Sequence, residues 1–282
     1  MAGAEFVIID KPNGVTSREA MYSTLSSEKG KKGIEGILDP FATGVLILAY
    51  GPATRFLSYG HTLKKEYLAT IRLGIETDSY DCDGKILRTE VPKVSTEQQV
   101  KDVLNKFQGE IEQVPPRLSN VKIAGKPARA RARGDQQFEV PSRKVQVDSI
   151  TLESLSENEL CFRAVVSSGT YIRSLAVDIA GSLGTIGHLS ALRRTAIGNF
   201  TLGPGYSPFE KRMGPAEFLY WLPGLELKEK QLLMVQQGKK VFLESEDEDI
   251  VKILSAGEFF GLGQVRKGVL SSIRLLPVEQ NG

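Results

Sequence analysis

The residues with the clearest potential for chemistry fall in one short stretch, residues 33–46, reading Gly-Ile-Glu-Gly-Ile-Leu-Asp-Pro-Phe-Ala-Thr-Gly-Val-Leu. Asp39 is followed by a proline, flanked by glycines and set just ahead of an apolar run. Proline fixes the backbone on one side of it, and the glycines allow another backbone to come close. Such a stretch can hold a carboxylate rigidly at the surface of a sheet; the ordinary alternative is a turn aspartate before a strand. The rest of the chain narrows the chemistry by what it lacks. The two histidines, His61 and His188, and the two cysteines, Cys82 and Cys161, do not stand at the short spacing a zinc site needs. There is no phosphate-binding Gly-Lys-Ser/Thr loop, and Gly261-Leu262-Gly263 fails as a dinucleotide loop because Arg266 stands where the third glycine is required. The Gly-x-Ser-x-Gly elbow of serine hydrolases is absent as well. No metal and no cofactor are expected, so the chemistry rests on carboxylates, tyrosines and arginines.

A second acidic stretch, residues 79–84, imitates a calcium loop. With Ser79 as its first position, Asp81, Asp83, Gly84, Ile86 and Glu90 occupy the expected places. The first position should be aspartate, however, and the segment before it reads as a strand where a calcium loop needs a helix. A loop carrying acids close to an active site is the better reading of Asp78 and Asp81. Charge is also unevenly spread. The formal net charge is +2, yet residues 117–144 carry eight basic side chains against two acidic ones, a local +6 that leaves −4 elsewhere. This is the footprint of a polyanion-binding surface or of a solvated basic loop. The opposite pole, residues 244–249, has five acids in six positions and reads as a solvated turn facing away from any nucleic acid.

The elements that must position these groups are legible in outline. Residues 5–10 (EFVIID) and 45–49 are short apolar runs of the buried-strand type. Residues 67–73 alternate Tyr67, Ala69, Ile71 and Leu73 on one face against Leu68, Thr70 and Arg72 on the other, and Leu160, Phe162, Ala164 and Val166 alternate in the same way. Thr16 with Glu19 predicts a capped helix start, and Ser95 with Gln98 predicts another, followed by a stripe of Val100, Val103, Leu104 and Phe107. Ile172, Leu175, Ala176, Ile179 and Leu183 predict a helix stopped by Gly184. Strands and helices mix without regular alternation, which gives an α+β class. Pro208, Pro215 and Pro223 suggest a boundary near residue 222, after which residues 259–265 and 269–276 form short strands of a small β-rich appendage. The chain has 282 residues, enough for a substantial core, and its longest apolar run, residues 45–50, is far short of the ~20 residues that span a bilayer. No charged start leads into an apolar segment, and the cysteines form no disulfide framework, so a cytoplasmic chain without a membrane anchor is expected.

On these residues the chain resembles the bacterial tRNA pseudouridine synthases of the B class, which modify uridine 55 in the T loop. Leu38-Asp39-Pro40-x-Ala42-Thr43-Gly44-Val45-Leu46 is similar to the family's catalytic motif. Further matches follow in the family's order: Asp10-Lys11-Pro12 with Gly14, Thr16 and Ser17; Lys65-x-Tyr67; Leu73-Gly74-x-x-Thr77-Asp78 with Asp81, Asp83 and Gly84; Gly169-Thr170-Tyr171-Ile172-Arg173-Ser174-Leu175; and Leu192-Arg193-Arg194-Thr195. The resemblance implies a pseudouridine-synthase fold with a mixed, largely antiparallel central sheet flanked by helices in residues 1–222, and a short PUA-like RNA-binding domain in residues 223–282. It implies that Asp39 is the catalytic carboxylate, acting at the ribose or as the base for a glycal intermediate, with Arg173 pairing with it and keeping it ionised. Tyr67 would stack on the flipped base and shuttle a proton. Tyr171 and Leu192 would close the pocket, by the family reading, while Lys11 and Asp81 join the substrate-binding set, Lys11 as a support for the Asp39 loop. The basic insertion, about residues 113–144, with Arg129, Arg131 and Arg133, would grip the phosphates of the T arm. The implied partner is tRNA, the implied state a monomer without an obligate protein partner.

The chain departs from the family pattern at Ile34, Glu35 and Ile37, which replace a histidine and two threonines. That departure motivates an alternative from another class, a tRNA-binding folding aid with weakened catalysis. A guide-RNA-dependent relative is a third reading, against which the short C-terminal region speaks.

Overall fold

The computed structural model describes residues 5–92, 96–119, 121–123, 126–127, 138–202 and 210–277. Its main sheet is assembled from the apolar runs and alternating segments. The strands are β1 (Glu5–Lys11), β2 (Lys32–Glu35), β3 (Thr43–Tyr50), β4 (Lys65–Leu73), β5 (Gly109–Gln113), β6 (Arg143–Leu155), β7 (Glu159–Val166), β8 (Gly187–Ile197), β9 (Phe200–Thr201) and β10 (Glu210–Met213). They lie in the order β10-β1-β3-β8-β4-β7-β6-β5, with β2 added to β3 and β9 to β8. β1 and β3 are covered on both faces, which is why their apolar residues are continuous rather than alternating. β4 and β7 bury every second residue, as alternation requires of a sheet with one covered face.

Among the described residues of this sheet, one pairing is parallel: β3 runs beside β8, with Arg193 opposite Thr43 and Arg194 opposite Gly44. That junction decides the geometry of the site, because it lays a pair of arginines along the segment that follows Asp39.

Helices α1 (Ser17–Thr24), α2 (Glu97–Lys106) and α3 (Ile172–Ser182) flank the sheet. α1 begins with the reciprocal Thr16–Glu19 box: the Glu19 amide donates to Thr16 Oγ1 at 3.1 Å and the Thr16 amide to Glu19 Oε2 at 2.8 Å. α2 is capped one residue later than the sequence suggests, by Thr96 with Gln99. Two overlapping hydroxyl-x-x-glutamine patterns fit there; Gln98 instead donates to Asp102 at 2.8 Å, and Ser95 lies outside the described residues. α3 buries Ile172, Leu175, Ala176 and Ile179 as the spacing predicts, and Arg173 with them. Gly184, at φ +76°, sits just past its end.

A second sheet begins at residue 224, with strands β11 (Gly224–Glu226), β12 (Val241–Phe242), β13 (Glu248–Ser255), β14 (Glu258–Arg266) and β15 (Val269–Leu275) in the order β11-β13-β14-β15-β12. It joins the main body through apolar contact: Phe259 and Leu262 of β14 enter the core formed by Phe6, Phe56 and Phe218, and the Phe56 and Phe259 rings meet edge to face at 5.3 Å. Among the described residues no helix is long and apolar enough to cross a membrane.

Candidate active site

Asp39 lies in the loop between β2 and β3 and lines a cleft of about 440 Å³. The loop is held at Gly36, Leu38 and Pro40 by side chains that reach its backbone. Ser17, at the start of α1, both donates to the Leu38 carbonyl and accepts from the Leu38 amide, each at 2.8 Å. The Lys11 ammonium donates to the carbonyls of Pro12, Val15 and Pro40 at 2.7, 2.6 and 3.0 Å. Arg194 donates from its guanidinium to Gly36 O at 2.7 Å and to Val45 O at 2.8 Å, tying the two ends of the stretch together. Gly44 makes this approach possible: at φ +106° it lies so close to Arg194 that an added Cβ would stand 2.1 Å from the Arg194 carbonyl oxygen. The glycine that the sequence places after Asp39 is therefore a contact point with β8.

The carboxylate itself meets Arg173 of α3. Arg173 Nε is 3.0 Å from Asp39 Oδ2, close enough for an ion pair but off the hydrogen-bond line, and its NH2 donates to Oδ1 at 3.3 Å. The same guanidinium donates to Ser79 O at 2.9 Å, Asp81 Oδ2 at 3.1 Å and Leu118 O at 3.2 Å. Arg173 is thus buried and shared between two carboxylates. Asp39 is surrounded by protein yet keeps 37% of its side chain open through the cleft mouth. Burial pushes its carboxyl above the ordinary carboxylate value, Asp81 and Asp83 add to this, and Arg173 and Lys11 oppose it. Arg173 favours the ionised form of Asp39, but desolvation outweighs it and the net shift is upward.

Tyr67, buried on β4, lines the cleft together with Leu118, Tyr171 and Leu192. Tyr171 is fixed through its backbone by the buried Gln113 side chain, which accepts from the Tyr171 amide at 2.8 Å and donates to its carbonyl at 3.0 Å. The Arg143 guanidinium stacks on the Tyr171 ring, 4.7 Å from its centre. Two residues of the expected substrate-binding set do not face the cleft, and Lys11 takes the loop-supporting place expected of it. Lys11 is fully buried beneath the loop, because three carbonyls converge on its ammonium, and burial holds its pKa down to about 8. Asp81, 5% exposed, is turned toward Arg173 and also accepts from Ser79 Oγ at 2.5 Å and the Asp83 amide at 3.1 Å. Those partners are what the calcium-like spacing of residues 79–84 provides. Arg129, Arg131 and Arg133 lie outside the described residues.

Comparison with known proteins assigns the chain to a family. The model described as "TruB family pseudouridylate synthase (N terminal domain)" covers residues 24–172, and that described as "Pseudouridine synthase II TruB, C-terminal" covers residues 223–276. The chain belongs to the TruB pseudouridylate synthase family. A tRNA pseudouridine synthase B of Aquifex aeolicus (strain VF5) is 37% identical over 283 residues, covering 96% of this chain and 98% of the relative. One from Leifsonia xyli subsp. xyli (strain CTCB07) is 37% identical over 304 residues and covers 99% of each. Among solved structures, an H/ACA RNP bound to a substrate RNA containing 2′-deoxyuridine superposes with a TM-score of 0.70 over 98% of this chain and 86% of its own, at 22% identity, a likeness of fold.

Within this TruB-family site, sequence reasoning missed three contributors. Arg194 stood in a quoted motif without a role, although it is the largest fully buried side chain of the described residues. Gln113 carried no signal beyond its place at the end of β5. Glu35, registered only as a departure, is completely buried beside Lys65 and His61.

Proposed function

We propose that this enzyme isomerises the T-loop uridine of tRNA, uridine 55, to pseudouridine with Asp39 as its catalytic carboxylate. The conversion of uridine to pseudouridine in tRNA is the activity of the TruB family to which the chain belongs. The observation that carries the site assignment is the Asp39–Arg173 pair lining one cleft with Tyr67, Tyr171 and Leu192. A nucleotide must leave the folded loop to reach such a site. The cleft volume, about 440 Å³, suits a single flipped nucleoside.

In the reaction the C1′–N1 bond breaks, the uracil turns while held in the cleft, and a C1′–C5 bond forms. The C5 proton leaves and N1 gains one, so atoms balance without a co-reactant. Asp39 acts at the ribose as nucleophile or as the base that gives a glycal; either role needs the ionised carboxylate. Arg173 orients it, Tyr67 stacks on the base and relays the proton, and Tyr171 and Leu192 keep water from the opened bond. Residues 1–222 act as the catalytic unit and residues 223–282 as an RNA-binding unit. Arg129, Arg131 and Arg133 in the insertion add phosphate contacts that give affinity without reading sequence. Action as a monomer in the cytoplasm is part of this reading.

The test is release of tritium from C5-labelled uridine in a T-arm transcript. Stoichiometric release is expected, with none above background when the T-loop uridine is replaced by cytidine and label is kept elsewhere. Release from the cytidine-substituted transcript would overturn the assigned position.

A further inference from the structure

We infer that His61 binds the RNA at the mouth of the Asp39 cleft, held in register by the buried carboxylate of Glu35. This rests on the reading of the cleft as the uridine site and names one more group of that site. His61 lies in the last turn of the 3₁₀ segment Gly51–Thr62 that leads into β4, and it lines the cleft with Ile34, Lys65 and Arg194. Its Nδ1 lies 3.0 Å from Glu35 Oε1 and 2.9 Å from Oε2. A carboxylate can only accept, so Nδ1 carries the hydrogen and Nε2 is the ring atom left for a ligand. The pair is sharply asymmetric: the Glu35 side chain is 1% exposed and that of His61 is 62% exposed.

Burying a carboxylate is costly unless it is paired. Lys65 Nζ stands 3.4 Å from Glu35 Oε1 but is also turned to Leu63 O at 2.9 Å and Ser168 Oγ at 3.2 Å. Glu35 thus fixes one buried cation that opens onto the cleft and one exposed imidazole at its rim. Gly60, beside His61, lets the segment pack closely on Glu35: a Cβ there would lie 3.0 Å from Phe218 Cζ and 3.1 Å from Glu35 Cγ, so a side chain would press on both. A mostly exposed histidine adds little to folding, yet this one is oriented by a buried group and placed on the wall of the reaction cleft. Ile34, one residue before Glu35, gives the same wall only apolar surface. The chemistry that fits Nε2 is the ribose–phosphate backbone next to the flipped uridine: the neutral ring accepts from a 2′-hydroxyl and the cation donates to a phosphate oxygen.

The experiment is single-turnover tritium release from C5-labelled T-arm RNA as a function of enzyme concentration. It compares the wild type, His61→Ala, His61→Gln, Glu35→Gln and the double variant, with thermal melts of each. His61→Ala should raise the half-saturating concentration about three- to tenfold, the size of one lost hydrogen bond, and leave the saturating rate within about twofold. His61→Gln should fall between wild type and His61→Ala. Glu35→Gln combined with His61→Ala should bind no more weakly than the worse single variant, because both act through one contact. An unchanged half-saturating concentration in His61→Ala, beside an active wild type, overturns this inference and leaves the uridine reading standing. So does a loss confined to the saturating rate, or a weakening matched by a fall in melting temperature. A wild type that neither binds nor converts the T arm overturns both.

Discussion

The loop around Asp39 and the acidic run at residues 244–249 are both rich in charge, and they use it in opposite ways. Around Asp39 the cations are buried and aimed at backbone oxygens: Lys11 reaches three carbonyls, Arg194 two, and Arg173 two carbonyls besides two carboxylates. At the other end, all five acids of residues 244–249 are exposed, and Asp249 pairs with Arg266 across neighbouring strands with more than half of each side chain in water. The first arrangement has one geometry available, since moving any member strands a buried polar group. The second has many, since water replaces any contact that is lost. A catalytic carboxylate needs the first kind of surroundings, and the chain concentrates it there through the parallel β3–β8 junction.

Substitutions in the two regions should therefore differ in kind. Arg173→Met removes a partner from Asp81 when both are less than a tenth exposed, so we expect a loss of about 3–5 kcal/mol in denaturant melts and loss of turnover. Gly44→Ala forces a left-handed backbone onto alanine and drives its Cβ toward Arg194 O. Backbone strain alone should cost about 1–3 kcal/mol, and turnover should fall as Arg194 loses its hold on Gly36. Asp81→Asn tests the electrostatics. The raised pKa of Asp39 means its proton is kept to higher pH than in an ordinary carboxyl, so activity that needs the carboxylate declines as pH falls through that value. Removing the Asp81 charge takes away one cause of the rise and frees Arg173 for Asp39. The acid limb of kcat/KM should then move to lower pH; a limb that stays or moves upward would contradict the shared-arginine picture. Asp249→Asn, in the exposed run, should change stability by less than about 1 kcal/mol in the same melts. A larger change would erase the contrast between the regions.

How much of this was legible in the sequence follows from the range of the interactions. Strands β4 and β7 and helices α1 and α3 could be read because alternation, capping and apolar spacing are local. The Asp39 motif could be read because proline and glycine leave a composition signal beside it. Lys11 could be read as a support for the Asp39 loop only through the family resemblance, and the place of Asp81 could not be read, since each depends on partners brought in by the sheet: Lys11 meets Pro40 from 29 residues away, and Asp81 meets Arg173 from 92. Glu35 looked like a lost threonine, and its partners His61 and Lys65 are 26 and 30 residues along the chain. The cap of α2 shows the finer limit. Ser95 and Thr96 offer the same pattern one residue apart, and only the path of the backbone into the helix chooses between them.

The central claim is that Asp39 performs the chemistry while the surrounding cleft and basic insertion hold the RNA. Asp39→Asn keeps the shape of the side chain and removes its charge, so it separates the two directly. Measured side by side with wild type, this variant should release no tritium from C5-labelled T-arm RNA above background, and should bind that RNA within about threefold of the wild-type affinity, because phosphate contacts elsewhere carry most of it. Release at the wild-type rate would remove Asp39 from the reaction and contradict the account.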